Sequence, residues 1–285
     1  MYKTIVVAFD DSEFSRAALE ESSRWVKMHG GKLVLVNAVF FDEEEFGIAP
    51  EQREKRFEIG KKICHLSSQK VMAEYGITVE SLICEGHAPE VIVDTAEGKQ
   101  ADLIAMGTHG RKGLKRLLMG SVTSGVIVRS PIDVIVIKRP CSACTGVYKS
   151  ILLPFDGSEF SKKALSRACG LSKIDGSMIT VLYVVPRYEE MIGFFRTESI
   201  RTSLRAEADK ILDSAREIAS GQGTSVNVEI REGQSADEIT RTAAALGSDL
   251  IVMGTYGWRG VNRVIMGSTT ERVIMNAGCP VLAVR

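Results

Sequence analysis

The chain has 285 residues, 45% hydrophobic and 25% charged, a composition that suits an ordinary globular protein of about two domains. Lys plus Arg match Asp plus Glu at 36 each, so the formal net charge is zero, which argues against general affinity for nucleic acid or an anionic membrane. No run approaches the roughly 18 apolar residues of a membrane-spanning helix, and the opening MYKTIVVAFDDSEFS reads as a strand rather than a signal peptide.

In chain order, Ile5–Phe9 is a β-branched apolar run and reads as a strand. Phe14–Met28 carries apolar residues at helical spacing and is stopped by His29-Gly30-Gly31. Lys32–Val39 is a second strand, and a long charged helix is predicted over Glu51–Tyr75. A strand at Ile77–Cys84 follows, then a helix to about Gly98 with Pro89 in its first turn, where a missing N–H costs nothing. Asp102–Met106 is a strand, Ser121–Arg129 a helix and Asp133–Ile137 a last strand.

The pattern then starts again. TIVVAFDDSEFSRAALEES returns as SILLPFDGSEFSKKALSRA, and LIAMGTHGRKGLKRLLMGSVTSGVI returns as LIVMGTYGWRGVNRVIMGSTTERVI. An offset of 146 separates Asp10 from Asp156 and 147 separates Gly107 from Gly254, so the repeat is a whole domain and not a short solenoid unit. The expected organisation is a domain over 1–139, a linker over 140–147 and a second domain over 148–285. The second copy predicts Ser150–Phe155, Ser161–Leu171, Met178–Val185, Ser199–Ser220, Ser225–Ile230, Ala236–Leu246, Asp249–Met253, Ser268–Asn276 and Val281–Val284.

Alternating strands and helices with nearly all-apolar strands imply a parallel sheet covered on both faces. Right-handed crossovers make it doubly wound, an α/β, Rossmann-like fold with five strands per copy. The ligand crevice of such a sheet opens at the carboxyl ends of the strands where the winding reverses, which directs attention to the loops after the first and fourth strands.

The fourth-strand loop reads Gly107-Thr-His-Gly110, nine residues, then Gly120-Ser121; its counterpart reads Gly254-Thr-Tyr-Gly257, nine residues, then Gly267-Ser268. Glycine at the strand end would let a ligand approach the backbone. Ser121 and Ser268 stand where a helix starts and are expected to be its N-caps, and the amides and dipole of such a first turn favour an anion. Arg111, Lys112, Lys115 and Arg116 fill the first loop, Arg259 and Arg263 the second. That the glycines are plain turns and the serines plain caps is an alternative for one copy; duplication at fixed spacing weakens it.

The pattern G-x2-G-x9-G-[ST], with D-G-S-E after the first strand of the second copy, closely resembles the universal stress protein family, once per half and over nearly the whole chain. The resemblance implies a five-stranded sheet, of the adenine nucleotide α-hydrolase-like kind, that binds ATP, or AMP or ADP, with Mg2+ as a candidate companion. Residues implied for the first site are Asp10, Ala38, Met106, Gly107, Gly110, Gly120, Ser121, Val122 and Thr123. Those for the second are Pro154, Asp156, Val184, Met253, Gly254, Gly257, Gly267, Ser268, Thr269 and Thr270. It also implies pairing of domains through their last strands, Val134–Ile137 and Val281–Val284, as an internal pseudo-dimer and as a homodimer.

The first copy departs from the motif with Asp10-Asp11-Ser12-Glu13 where the second has Asp156-Gly157-Ser158-Glu159. The Asp11 carboxylate would repel phosphate, help hold a divalent cation, or be a solvated turn residue; the last is favoured. Trp258 replaces Arg111 and Tyr256 replaces His109, so His109 is not expected to share an acid–base role across copies.

Other chemistry finds little support. There is no GxxxxGK[ST] and no GxGxxG after the first strand. The four histidines (His29, His65, His87, His109) do not cluster with acidic or cysteine residues at metal spacing. Cys141-Ser-Ala-Cys144 is a single C-x-x-C in the linker, more readily two thiols than a redox or zinc motif, and the six cysteines together suggest a reducing, cytoplasmic setting. Phe40, Phe41 and Phe46, and Met191, Ile192, Phe194 and Phe195, put apolar residues into otherwise charged connections that would serve as flaps or partner patches. The expected function is nucleotide binding with a regulatory, stress-response role and no catalytic residues, with slow ATP hydrolysis at most. The competing readings are an ATP-hydrolysing or adenylyl-transferring enzyme and an interaction scaffold; FDDSEFS and FDGSEFS lack the serine–glycine-rich loop such enzymes carry.

Overall fold

Three consecutive residues of the first strand, Ile5, Val6 and Val7, are buried, as are Ile151, Leu152 and Leu153 at the start of the second copy. Side chains of a strand alternate between faces, so burial of every position requires cover on both sides. The computed structural model, which describes residues 2–40, 50–108, 119–138, 146–186, 198–255 and 266–285, shows that cover.

The first unit, Met1–Val147, runs β1 (Thr4–Ala8), α1 (Glu13–His29), β2 (Lys32–Val39), α2 (Pro50–Tyr75), β3 (Val79–Glu85), α3 (Ala88–Gly98), β4 (Leu103–Gly107), α4 (Ser121–Arg129) and β5 (Asp133–Ile137). Its strands lie in the order β3-β2-β1-β4-β5, all parallel, with Val7 opposite both Leu35 and Ala105. The second unit, Tyr148–Arg285, repeats it as β6 (Ser150–Pro154), α5 (Glu159–Asp175), β7 (Met178–Pro186), α6 (Glu198–Gly221), β8 (Asn227–Gly233), α7 (Ser235–Ala245), β9 (Leu250–Gly254), α8 (Ser268–Asn276) and β10 (Val281–Val284). Its order is β8-β7-β6-β9-β10, again parallel. In each unit the winding reverses between the first and fourth strands, at β1/β4 and β6/β9.

The amino end of the first strand is fixed by the same device in both units. The Asp102 carboxylate accepts the backbone N–H groups of Lys3 (2.8 Å) and Thr4 (2.9 Å). Asp249 accepts those of Lys149 (2.7 Å) and Ser150 (3.0 Å). Two charge-assisted bonds per unit thus set the register of the central strands.

Helix ends explain where the boundaries differ from expectation. Ser12 and Ser158 cap α1 and α5, accepting the N–H of Ser15 and Ser161, so α5 starts at Glu159 and not at Ser161. It also runs on to Asp175, beyond the expected Leu171, until left-handed Gly176 (φ 67°) ends it. Gly76 turns at φ 72° after α2, so β3 starts at Val79, two residues later than expected.

Candidate functional site

The turn after the first strand is an Asx turn in both units. Asp10 Oδ1 accepts the N–H of Ser12 at 3.1 Å, and Asp156 Oδ1 that of Ser158 at 3.0 Å. The residue between must adopt a left-handed backbone: φ is 77° at Gly157 and 64° at Asp11. The extra carboxylate of the first copy therefore stands where glycine is the easier occupant, tolerated because Asp is short and polar. Asp11 sits in the turn with a partly exposed side chain, in keeping with the turn residue the sequence suggests. Its carboxylate lies 3.5 Å from the Arg16 guanidinium and helps to raise the pKa of Cys64 on α2.

The turn after the fourth strand first adds a packing reason for its glycine and then corrects one expectation. A Cβ on Gly107 would stand 2.5 Å from the Phe14 Cβ, and one on Gly254 would stand 2.7 Å from that of Phe160. Glycine is thus required by the first turn of α1 and α5 packing onto the strand end. Second, Ser121 and Ser268 are not N-caps. Gly120 (φ −59°, ψ 139°) and Gly267 (φ −61°, ψ 132°) are, and neither α4 nor α8 has a side-chain cap. Glycine has no side chain to fold back on the first turn, so the cap residue leaves open the amides of Ser121, Val122 and Thr123, and of Ser268, Thr269 and Thr270.

Those helix starts are tied to the strand ends. Gly120 donates its N–H to Thr108 O (3.1 Å) and Gly267 to Thr255 O (3.2 Å). Thr123 Oγ1 donates to Gly107 O (2.9 Å), and Thr270 Oγ1 to Gly254 O (3.1 Å). Both threonines are buried, so their hydroxyls position α4 and α8. Ser121 and Ser268 are exposed, while Val122 and Thr269 are intermediate.

In the first unit Ala38, Asp10 and Gly107 lie at or near the carboxyl ends of β2, β1 and β4, three neighbouring strands, with Met106 buried one residue before the glycine. In the second, Val184, Asp156 and Gly254 do the same on β7, β6 and β9, with Pro154 ending β6 and Met253 buried. Gly110, Gly257, the histidine and tyrosine of the motif and its basic loop residues lie outside the described residues. So do Cys141, Cys144 and the apolar residues of 41–49 and 187–197.

Several participants escaped the sequence. Phe14, Phe160, Thr108 and Thr255 are duplicated between the copies, and that repetition is the signal that could have found them. At the edge of β2, the rings of Phe40 and His87 meet with centroids 4.4 Å apart, a pairing no periodicity announces. Arg56 donates to Phe40 O at 2.9 Å, and Arg53 pairs with Glu85 beside it. A cavity of about 420 Å3 in the second unit, lined by Lys173, Met178, Thr224 and Asn227, lies at the amino ends of β7 and β8, the opposite edge from the glycine turns. Among the described residues no three His, Cys, Asp or Glu gather as a metal site, and no helix is long and apolar enough to cross a membrane.

Comparison with known proteins agrees with this architecture. The model of the Universal stress protein family matches residues 1–138 and again 147–285. The universal stress protein MJ0531 of Methanocaldococcus jannaschii is 37% identical over 142 residues, covering 49% of this chain and 83% of that protein. Universal stress protein YxiE of Bacillus subtilis is 31% identical over 148 residues, 49% of this chain and 100% of that protein. A crystal structure of a universal stress protein from Archaeoglobus fulgidus shares the fold across 99% of this chain and 98% of its own, with a TM-score of 0.75 at 23% identity. The chain belongs to the universal stress protein family, and carries the family's domain twice in tandem.

Proposed function

We propose that each unit binds an adenine nucleotide, ATP or its di- or monophosphate, and that occupancy of the two sites is a regulatory signal in the cytoplasmic stress response. The observation that carries this reading is the pair of glycine-capped helix starts, α4 and α8, tied to the strand end at the point where the winding reverses. Uncapped amides and the positive end of the helix dipole suit phosphate. The base would extend over β1 toward Ala38 in the first site, and over β6 toward Val184 in the second. Asp10 and Asp156 would face the sugar–phosphate part, and Gly110 and Gly257 would close the cradle. Mg2+ would travel as counter-ion of the phosphates, since among the described residues the carboxylates gather no cation cage of their own. Hydrolysis would be slow, because a set of backbone donors stabilises charge without supplying a base.

Native mass spectrometry of the purified chain, followed by calorimetric titration with ATP, tests the reading. Expected are up to two nucleotides per chain, and their loss in a Gly120→Val/Gly267→Val double variant that still melts cooperatively. Intact binding in that variant would remove the site assignment, and an empty wild-type protein that takes up no ATP would remove the function.

A further inference from the structure

The two sites differ at the end where the base would lie. Gly60 of α2 packs against Asn37 and Ile83: a Cβ there would stand 2.7 Å from Asn37 Oδ1 and 3.2 Å from Ile83 Cγ2. Asn37 and Ile83, paired across β2 and β3, therefore face α2. Strand alternation puts Ala38 and Phe40 on the other face, which α3 and α4 cover. His87 stands at the N-cap of α3, and Gly86 donates to Val39 O (3.1 Å), holding the two strand ends together. Pro89 is pressed onto α4 at Gly125, where a Cβ would come within 2.9 Å of its ring. Gly125 is one turn from Ser121, so the ring pair flanks the same face of the crevice as the α4 start. Phe40 is 44% exposed there.

At the corresponding described positions the second unit carries no aromatic or imidazole ring. Pro186 occupies the position of Phe40, Gln234 that of His87 and Arg272 that of Gly125. Arg272 donates to Gln234 Oε1 (2.8 Å) and to Asp237 (3.1 Å), a polar clamp in place of two rings.

Resting on the nucleotide reading above, we infer that Phe40 and His87 form a base-stacking wall in the first unit, at positions where the second carries Pro186 and Gln234, and that this wall makes the first site favour a purine base. Every base offers a π-face to an exposed aromatic ring, but the larger purine face stacks more strongly, so the preference comes from stacking strength.

The test is calorimetric titration of the full-length chain with ATP, CTP and inorganic tripolyphosphate, for wild type, Phe40→Ala, Phe40→Trp and His87→Gln. Phe40→Ala is expected to weaken one of the two ATP steps by about tenfold, the range of a lost base–aromatic stack. The other step and tripolyphosphate binding should stay unchanged, and Phe40→Trp should retain the wild-type value. His87→Gln should lower the preference for ATP over CTP at that same step. If both ATP steps survive Phe40→Ala and His87→Gln unaltered, the stacking wall is wrong while the nucleotide sites stand. If tripolyphosphate binding falls in parallel, Phe40 is only structural. A wild-type chain that binds no ATP overturns the nucleotide reading and this inference with it.

Discussion

Gly107 and Phe14 approach so closely that a Cβ on the glycine would lie 2.5 Å from the Cβ of the phenylalanine and 2.7 Å from its carbonyl carbon. Backbone cannot yield as a flexible side chain does, so the first turn of α1 would have to move off β4. Gly107→Ala, and Gly254→Ala against Phe160, are expected to cost about 1–3 kcal/mol each. Gly170→Ala is the contrasting control, since it lies inside α5 with open space around it and should stabilise by roughly 0.5–1 kcal/mol. Urea denaturation of the three variants decides the point; equal behaviour of all three would contradict the packing argument.

The left-handed position after Asp10 and Asp156 separates backbone strain from charge. Gly157→Ala should lose about 1 kcal/mol because its φ of 77° disfavours a Cβ. Gly157→Asp should lose less, as Asp11 already shows at φ 64°. With its carboxylate engaged by Arg16 on the exposed side of the turn, Asp11→Gly is expected to change ATP affinity by less than about threefold, an exposed ion pair being worth little. A large gain in affinity would show that Asp11 repels the phosphates after all.

Burial, with a smaller contribution from Asp11, pushes the Cys64 thiol up to about 11. Desolvation disfavours the thiolate, which is the form that reacts. Iodoacetamide at pH 8 should therefore leave the Cys64 peptide unmodified in the native chain and modify it after denaturation, as read by peptide mass mapping. The pKa is higher in the folded state, so the folded chain holds its proton longer than the unfolded one. The associated stability is fully present below the unfolded value of roughly 8.5 and is lost as pH rises toward about 11. Cys64→Ser should flatten the decline of urea midpoint across that alkaline window; an unchanged slope would dissociate Cys64 from it.

Much of the architecture was legible because it rests on short-range physics. Apolar runs of five residues such as Leu103–Gly107 can only be central strands when helical patterns flank them, and the helix Ser121–Arg129 and strand Asp133–Ile137 end where expected. Boundaries slipped where capping chemistry intervened, at Ser158 and Gly176 for α5 and at Gly76 before β3. The glycines ending β4 and β9 were legible as special, but the packing that requires them was not. Gly107 answers to Phe14, a residue 93 positions away, and that contact exists only once α1 has docked on β4.

By itself the sequence determined the tandem repeat, the α/β class and the family, because each follows from periodicity and motif spacing written twice into one chain. Only the tertiary structure decided that Gly120 and Gly267, not the serines, cap α4 and α8, and that Thr123 and Thr270 tie them to the strand ends. It alone placed Phe40 against His87, 47 residues apart in the chain. The physical reason is the same in each case: a helix start or a ring contact depends on where two distant strands end relative to one another, and that distance is set by the packed sheet rather than by any local pattern.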